Sequence, residues 1–136
     1  MIEFINKNKD RKICIIVSGD TGFYSLLSFL RKNYSREELN VIPGISSYQY
    51  LFSRIGEVWQ DYKLLSVHGR EAEYVDIFSK ERGIVLLTDN INTPYVIAKN
   101  IYEAGYRDVE IVVGERLSYP DEKITFINIE DYEKLN

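Results

Sequence analysis

Between residues 15 and 24 the hydrophobic period of the sequence changes. Ile15, Ile16 and Val17 run continuously, Ser18-Gly19-Asp20-Thr21-Gly22 turns, and apolar residues restart at Phe23, Leu26, Leu27, Leu30 and Tyr34. A continuous β-branched run suits a strand buried on both faces, and the later spacing suits an amphipathic helix. A strand joined to a helix by a tight glycine turn is half of a βαβ unit, which points to an α/β fold. The turn falls at the carboxyl end of the expected strand, where open α/β sheets bind ligands. Read alone, the same stretch fits a ligand-free βα turn equally well.

The rest of the sequence repeats this alternation. Residues 1–12 read as a solvated lead-in or the tail of a helix. Strands are expected at 13–17 and 39–42, separated by a helix over 22–33. Ser46 and Gln49 have capping-box spacing ahead of Tyr48, Leu51, Phe52 and Ile55, and Gly56 is a natural stop. The stretch 57–61, with the lone Trp59, is the expected lobe boundary, giving a first lobe over 1–57 and a second over 58–136. In the second lobe strands are expected at 64–67, 84–87, 109–113 and 123–129, with Ile124, Phe126 and Asn128 on one face of the last. A helix is expected to about residue 81, and another opens with Thr93 as N-cap and Pro94 in its first turn. The order βαβα then βαβαββ implies parallel sheets with right-handed crossovers. Two strands alone would leave the first sheet with a long open edge, to be covered by upstream strands or another chain.

Composition narrows the function classes. A net charge of −4 gives no basic footprint for nucleic acid, and no apolar run nears the ~18 residues that span a bilayer. The N-terminus lacks signal-peptide character. The single cysteine, Cys14, lies within the first apolar run; it is expected in the core, and a reducing cytoplasm suits it. With one histidine and one cysteine, only a carboxylate-rich site could hold a metal, and no EF-hand spacing is present. The Gly19 loop is neither G-x-G-x-x-G nor a P-loop, and its aspartate disfavours phosphate. It suits a ligand with hydroxyls, an amine or a positive centre. A G-x-x-G loop of the RNA-binding KH type would need helical, basic flanks, and this one has neither. His68 and Arg70 follow the expected third strand, a position where a ligand can meet an imidazole and a fixed cation.

Taken together, these segments resemble the tetrapyrrole (corrin/porphyrin) methylases. Ser18-Gly19-Asp20-Thr21-Gly22-Phe23-Tyr24-Ser25 is similar to their G-D-P/T-G-F-Y loop, and Ile42-Pro43-Gly44-Ile45-Ser46-Ser47 to their I-P-G segment. Trp59-Gln60-Asp61, Leu65-Ser66-Val67-His68-Gly69-Arg70, Leu87-Thr88-Asp89 with Asn92-Thr93-Pro94, and the run from Gly114 to Glu122 resemble the branch that methylates C5 of a precorrin in cobalamin biosynthesis. The resemblance implies a two-lobe α/β fold with S-adenosylmethionine between the lobes. Cofactor contacts would come from Gly19, Asp20, Phe23, Ser46, Ser47, His68 and Thr93, with the 89–93 loop closing the pocket. Tyr24, His68 and Arg70 would meet a flat, carboxylate-rich tetrapyrrole, with Arg54, Arg116 and Lys123 as further cations. It implies no metal and no assigned catalytic base, and a cytoplasmic homodimer. Family members begin with a glycine-rich strand and loop, roughly G-x-G-x-G-D, which this sequence lacks. An N-terminally truncated first lobe is therefore expected. That leaves two alternatives beside the methyltransferase: a noncatalytic remnant that binds cofactor or dimerises through its open edge, and a sister methylase with another substrate.

Overall fold

The computed structural model describes residues 1–67 and 74–136. The protein divides into two compact units, Met1–Ser47 and Tyr48–Asn136. That division falls ten residues before the lobe boundary expected after residue 57, inside the helix opened by the Ile42-Pro43-Gly44 segment.

The first unit holds two short helices, α1 (Ile2–Lys7) and α2 (Leu27–Leu30). Neither expected strand forms here: among the described residues, 13–17 and 39–42 join no sheet. A strand exists only by exchanging backbone hydrogen bonds with a neighbour, and these runs have none beside them. Their side chains face outward in consequence, Ile16 at 91% exposure and Ile42 at 73%. Cys14, expected in the core, is exposed for the same reason. The helix expected over 22–33 is also shorter, because Tyr24 has φ +47°, a left-handed conformation that no α-helix continues through. Regular helical bonds begin only at Leu30 N to Leu26 O, 3.0 Å.

The second unit is closer to expectation. Helix α3 (Ser47–Ile55) ends at Gly56 and buries Tyr48 and Phe52. Strands β1 (Lys63–Ser66) and β2 (Ile84–Leu87) pair in parallel, with Lys63 opposite Ile84 and Ser66 opposite Leu87. Between them in sequence lies α4 (Tyr74–Phe78). Helix α5 (Pro94–Glu103) is capped by Thr93, whose Oγ1 accepts from Val96 N at 3.3 Å. Strands β3 (Glu110–Glu115) and β4 (Lys123–Asn128) form a separate antiparallel pair. The second lobe thus contains one parallel and one antiparallel ladder. In β4 Ile127 is the buried residue and Phe126 is 57% exposed, so Phe126 lies on the outer face.

The core gathers Val67 after β1, Tyr74 of α4, Ile97, Ala98 and Ile101 of α5, and Ile129. Ile129 opens a C-terminal 3-10 helix (Ile129–Leu135) capped by Asn128, whose Oδ1 accepts from Glu130 N at 3.0 Å. A 3-10 helix repeats every three residues, so Ile129, Tyr132 and Leu135 share one face, and all three pack on the core. The carboxyl terminus is thereby tied to α5.

Candidate functional site

In the first unit the two glycine segments lie against each other. Gly19 has φ +70°, and the Asp20 carboxylate accepts from Gly22 N at 3.1 Å, closing an Asx turn. A Cβ at Gly44 would stand 2.3 Å from the Gly19 carbonyl oxygen. Only hydrogen fits there. A Cβ at Gly19 would in turn lie 3.7 Å from Ser46 Cα. The fold therefore assembles Gly19, Asp20 and Ser46 from segments over twenty residues apart. Ser46 is 2% exposed, and Ser47 after it is exposed at the first position of α3. Phe23 and Tyr24 continue the Asp20 loop, their rings edge to face with centroids 4.9 Å apart, and Tyr24 is half-exposed.

The donor set defines what this place can hold. Residues 13–30 contain one carboxylate, Asp20, and no lysine or arginine. Such a loop repels phosphate and accepts hydrogen bonds from hydroxyls or an ammonium, or faces a sulfonium.

The second unit brings the ends of β1 and β2 together. Asp89 Oδ1 accepts from Ile91 N at 2.8 Å and Asn92 N at 2.6 Å. Asn92 Nδ2 donates to the Val67 carbonyl at 3.1 Å, tying the loop after β2 to the end of β1. Thr93 completes the segment as the cap of α5. His68 and Arg70, named from the sequence for cofactor and substrate, lie outside the described residues. The sequence reading missed the role of Asn92. The aspartate at the strand end marked the Asx turn, whereas the Asn92 side-chain bond spans 25 residues and leaves no local mark.

The other candidate cations are paired. Arg54 Nε donates to Glu122 at 2.8 Å, Arg116 pairs with Asp121, and Lys123 lies 3.7 Å from Glu115. A substrate carboxylate would have to compete with these partners. Glu122 also accepts from Ser118 N at 2.7 Å, and its side chain is 13% exposed. The Ser118 amide above all, then the Tyr50 hydroxyl and Arg54, hold its carboxyl below the usual carboxylate range. Tyr50, donating to that carboxylate, is pushed up from its ordinary phenol value. Glu122 therefore pins the loop between β3 and β4, in which Arg116 and Ser118 have φ +48° and +70°, onto α3.

With this geometry established, comparison with known proteins is decisive. The family described as Tetrapyrrole (Corrin/Porphyrin) Methylases matches residues 2–133. The chain belongs to the tetrapyrrole methylases. Among curated members, this methylase is 30% identical over 137 aligned positions to the cobalt-precorrin-7 C(5)-methyltransferase of Salmonella typhimurium, covering 98% of itself and 68% of that protein. It is 30% identical over 132 positions to a probable cobalt-precorrin-7 C(5)-methyltransferase of Methanocaldococcus jannaschii, with 93% and 61% covered. The crystal structure of the cobalamin-biosynthesis precorrin-6Y methylase of Archaeoglobus fulgidus shares its fold, with a TM-score of 0.65 at 21% identity. That match covers 94% of this methylase and 60% of the other. The protein thus spans roughly three-fifths to two-thirds of the length of these relatives. No helix among the described residues is long and apolar enough to cross a membrane.

Proposed function

We propose that this methylase carries the cofactor and substrate determinants of an S-adenosylmethionine-dependent C-methyltransferase acting at C5 of a precorrin, cobalt-precorrin-7 or precorrin-6Y. The observation that carries the reading is the seating of Gly44 on Gly19, which sets Gly19 against Ser46 and the Asp20 amide against Gly44 in a loop pair without cations. The names of the relatives supply the substrate class.

In this reading Gly19, Asp20, Phe23, Ser46 and Ser47 hold the cofactor from a first lobe over 1–57. His68 and Thr93 hold it from a second lobe over 58–136. When bound, S-adenosylmethionine supplies a sulfonium methyl carbon as the electrophile. The Asp20 carboxylate accepts from ligand hydroxyl or ammonium groups and favours a nearby positive centre. Gly44, lacking a side chain, lets its segment seat on the Gly19 backbone beside that carboxylate's loop. Tyr24 stacks on the substrate ring, while Arg70 and His68 meet its carboxylates. Aligning the nucleophilic ring carbon with the methyl carbon is the main task, and it needs no dedicated base at the moment of transfer. The protein works as a homodimer in the cytoplasm, a compartment that suits its single unpaired cysteine.

Incubation with methyl-labelled S-adenosylmethionine and cobalt-precorrin-7 tests the reading. Label in the tetrapyrrole is expected. Label only on a different precorrin would overturn the substrate assignment. Binding of S-adenosylhomocysteine without transfer to any precorrin would support the noncatalytic alternative.

A further inference from the structure

The run from Gly114 to Glu122 stands out in the sequence, yet the proposed site takes no residue from it. Both ends of the run act on α3. At one end, a Cβ at Gly114 would stand 3.0 Å from Leu51 Cδ1, so that side chain of the helix rests on bare backbone. At the other, Glu122 accepts from Arg54 Nε at 2.8 Å and from the Tyr50 hydroxyl, while the Ser118 amide at 2.7 Å fixes the carboxylate within its own loop. The Glu122 side chain is 13% exposed, which separates this pair from the open ion pairs of the surface. Tyr50, Leu51 and Arg54 follow Ser47 at the spacings that place all four residues on one side of a helix. Ser47 itself is exposed at the first position of α3. On a second side Tyr48 and Phe52 are buried and meet Trp59 and Tyr62 edge to face, with centroids 5.3 and 5.0 Å apart. The helix is thus gripped from two sides, and the grip at Tyr50 begins one turn after Ser47.

We propose that Glu122 is a positioning residue for the cofactor site, setting the place of Ser47 at the head of α3 through Tyr50 and Arg54. The proposal rests on the assignment of Ser47 to S-adenosylmethionine made above. A hydroxyl hydrogen bond is directional and weakens steeply as its angle closes, so its worth depends on how well the helix that carries it is held. Glu122 is suited to that task. A carboxylate accepts several hydrogen bonds, and here it takes one from each of two successive turns of α3 and one from its own loop. Two grips along one helix fix its rotation about its own axis as well as its position, which a single contact cannot do. The buried rings of Tyr48 and Phe52 supply adhesion without such direction. Glu122 thereby takes part in methyl transfer without touching cofactor or substrate.

The test is a double-mutant cycle on Glu122→Gln and Ser47→Ala, read as S-adenosylhomocysteine affinity by calorimetry at neutral pH, below the melting transition of every variant. Each single change is expected to weaken binding by about fivefold, and the double variant to match Ser47→Ala within about twofold, because Glu122 acts only through Ser47. A Glu122 that merely supports the fold gives independent losses that multiply to about 25-fold, and that result would overturn the proposal. So would wild-type affinity in Glu122→Gln. If Glu122→Gln does not fold, Tyr50→Phe, which keeps the ring and removes only the hydroxyl, takes its place in the cycle with the same two outcomes. The cofactor reading fails by a different pattern. A wild type that binds no S-adenosylhomocysteine, or a Ser47→Ala variant that binds it as wild type does, would overturn the assignment of Ser47 and this inference with it.

Discussion

The hydrogen on Gly44 that faces the Gly19 carbonyl oxygen marks the tightest approach in the first unit, since a carbon there would lie 2.3 Å away. Both partners are backbone, so neither can swing aside to make room. Gly44→Ala must instead push the Asp20 turn away from Ser46. Overpacking of this kind typically costs about 1–3 kcal/mol. The expected outcome is a lowered denaturant midpoint together with weaker S-adenosylhomocysteine binding. Wild-type values for both would show that the two segments do not meet. Asp20 differs in kind, because its carboxylate has a local duty to Gly22 N as well as its proposed duty to the ligand. Asp20→Asn keeps an oxygen for the turn and removes the charge, whereas Asp20→Ala removes both. From the sequence, Gly19 and Asp20 were legible as a turn, but the strand expected before it is not formed among the described residues. The pressure of Gly44 on that turn was not legible, since nothing in local spacing says which distant backbone will arrive.

Among the elements, α3 and the β3–β4 loop form one joint, with Glu122 as its pin. Its carboxyl is held low, chiefly by the Ser118 amide, so the folded state favours the ionised form. A depressed carboxyl contributes stability above its ordinary titration range, near pH 4.3. That contribution disappears as pH falls through the lower, folded value. The melting temperature of wild type should therefore exceed that of Glu122→Gln at neutral pH, and the gap should close below about pH 4. A gap independent of pH would remove ionisation from the explanation. The same scale shows which elements the sequence could reveal. Thr93-Pro94 marked the start of α5, and the apolar run 84–87 became β2 at the expected residues, because cap and pattern agree locally. Runs 13–17 and 39–42 have equally good strand composition yet form no ladder, because a strand depends on its neighbour. The C-terminal 3-10 helix was not legible, since its period of three, at Ile129, Tyr132 and Leu135, fits neither the helical nor the strand template.

At the level of the whole molecule, the second unit carries a core closed by its own C-terminal turn, while the first exposes Ile16, Ile42 and Ile45. The protein spans roughly three-fifths to two-thirds of the tetrapyrrole methylases it matches. The family itself was readable because six short segments occur in order, although each alone is a common turn. The site was readable only in part: the Gly19 and Gly44 segments meet in the fold, whereas Arg54 and Arg116, plausible anion binders in one dimension, are occupied by Glu122 and Asp121. Everything proposed for function turns on whether the first unit receives the cofactor through Asp20. Calorimetric titration of S-adenosylhomocysteine into wild type and Asp20→Ala tests that most directly. The account predicts saturable binding by wild type and a loss of about 1.5–3 kcal/mol in Asp20→Ala, the usual worth of a hydrogen bond to a charged group, with an unchanged circular dichroism spectrum. No binding heat from wild type, or equal affinity in the two proteins, would contradict it.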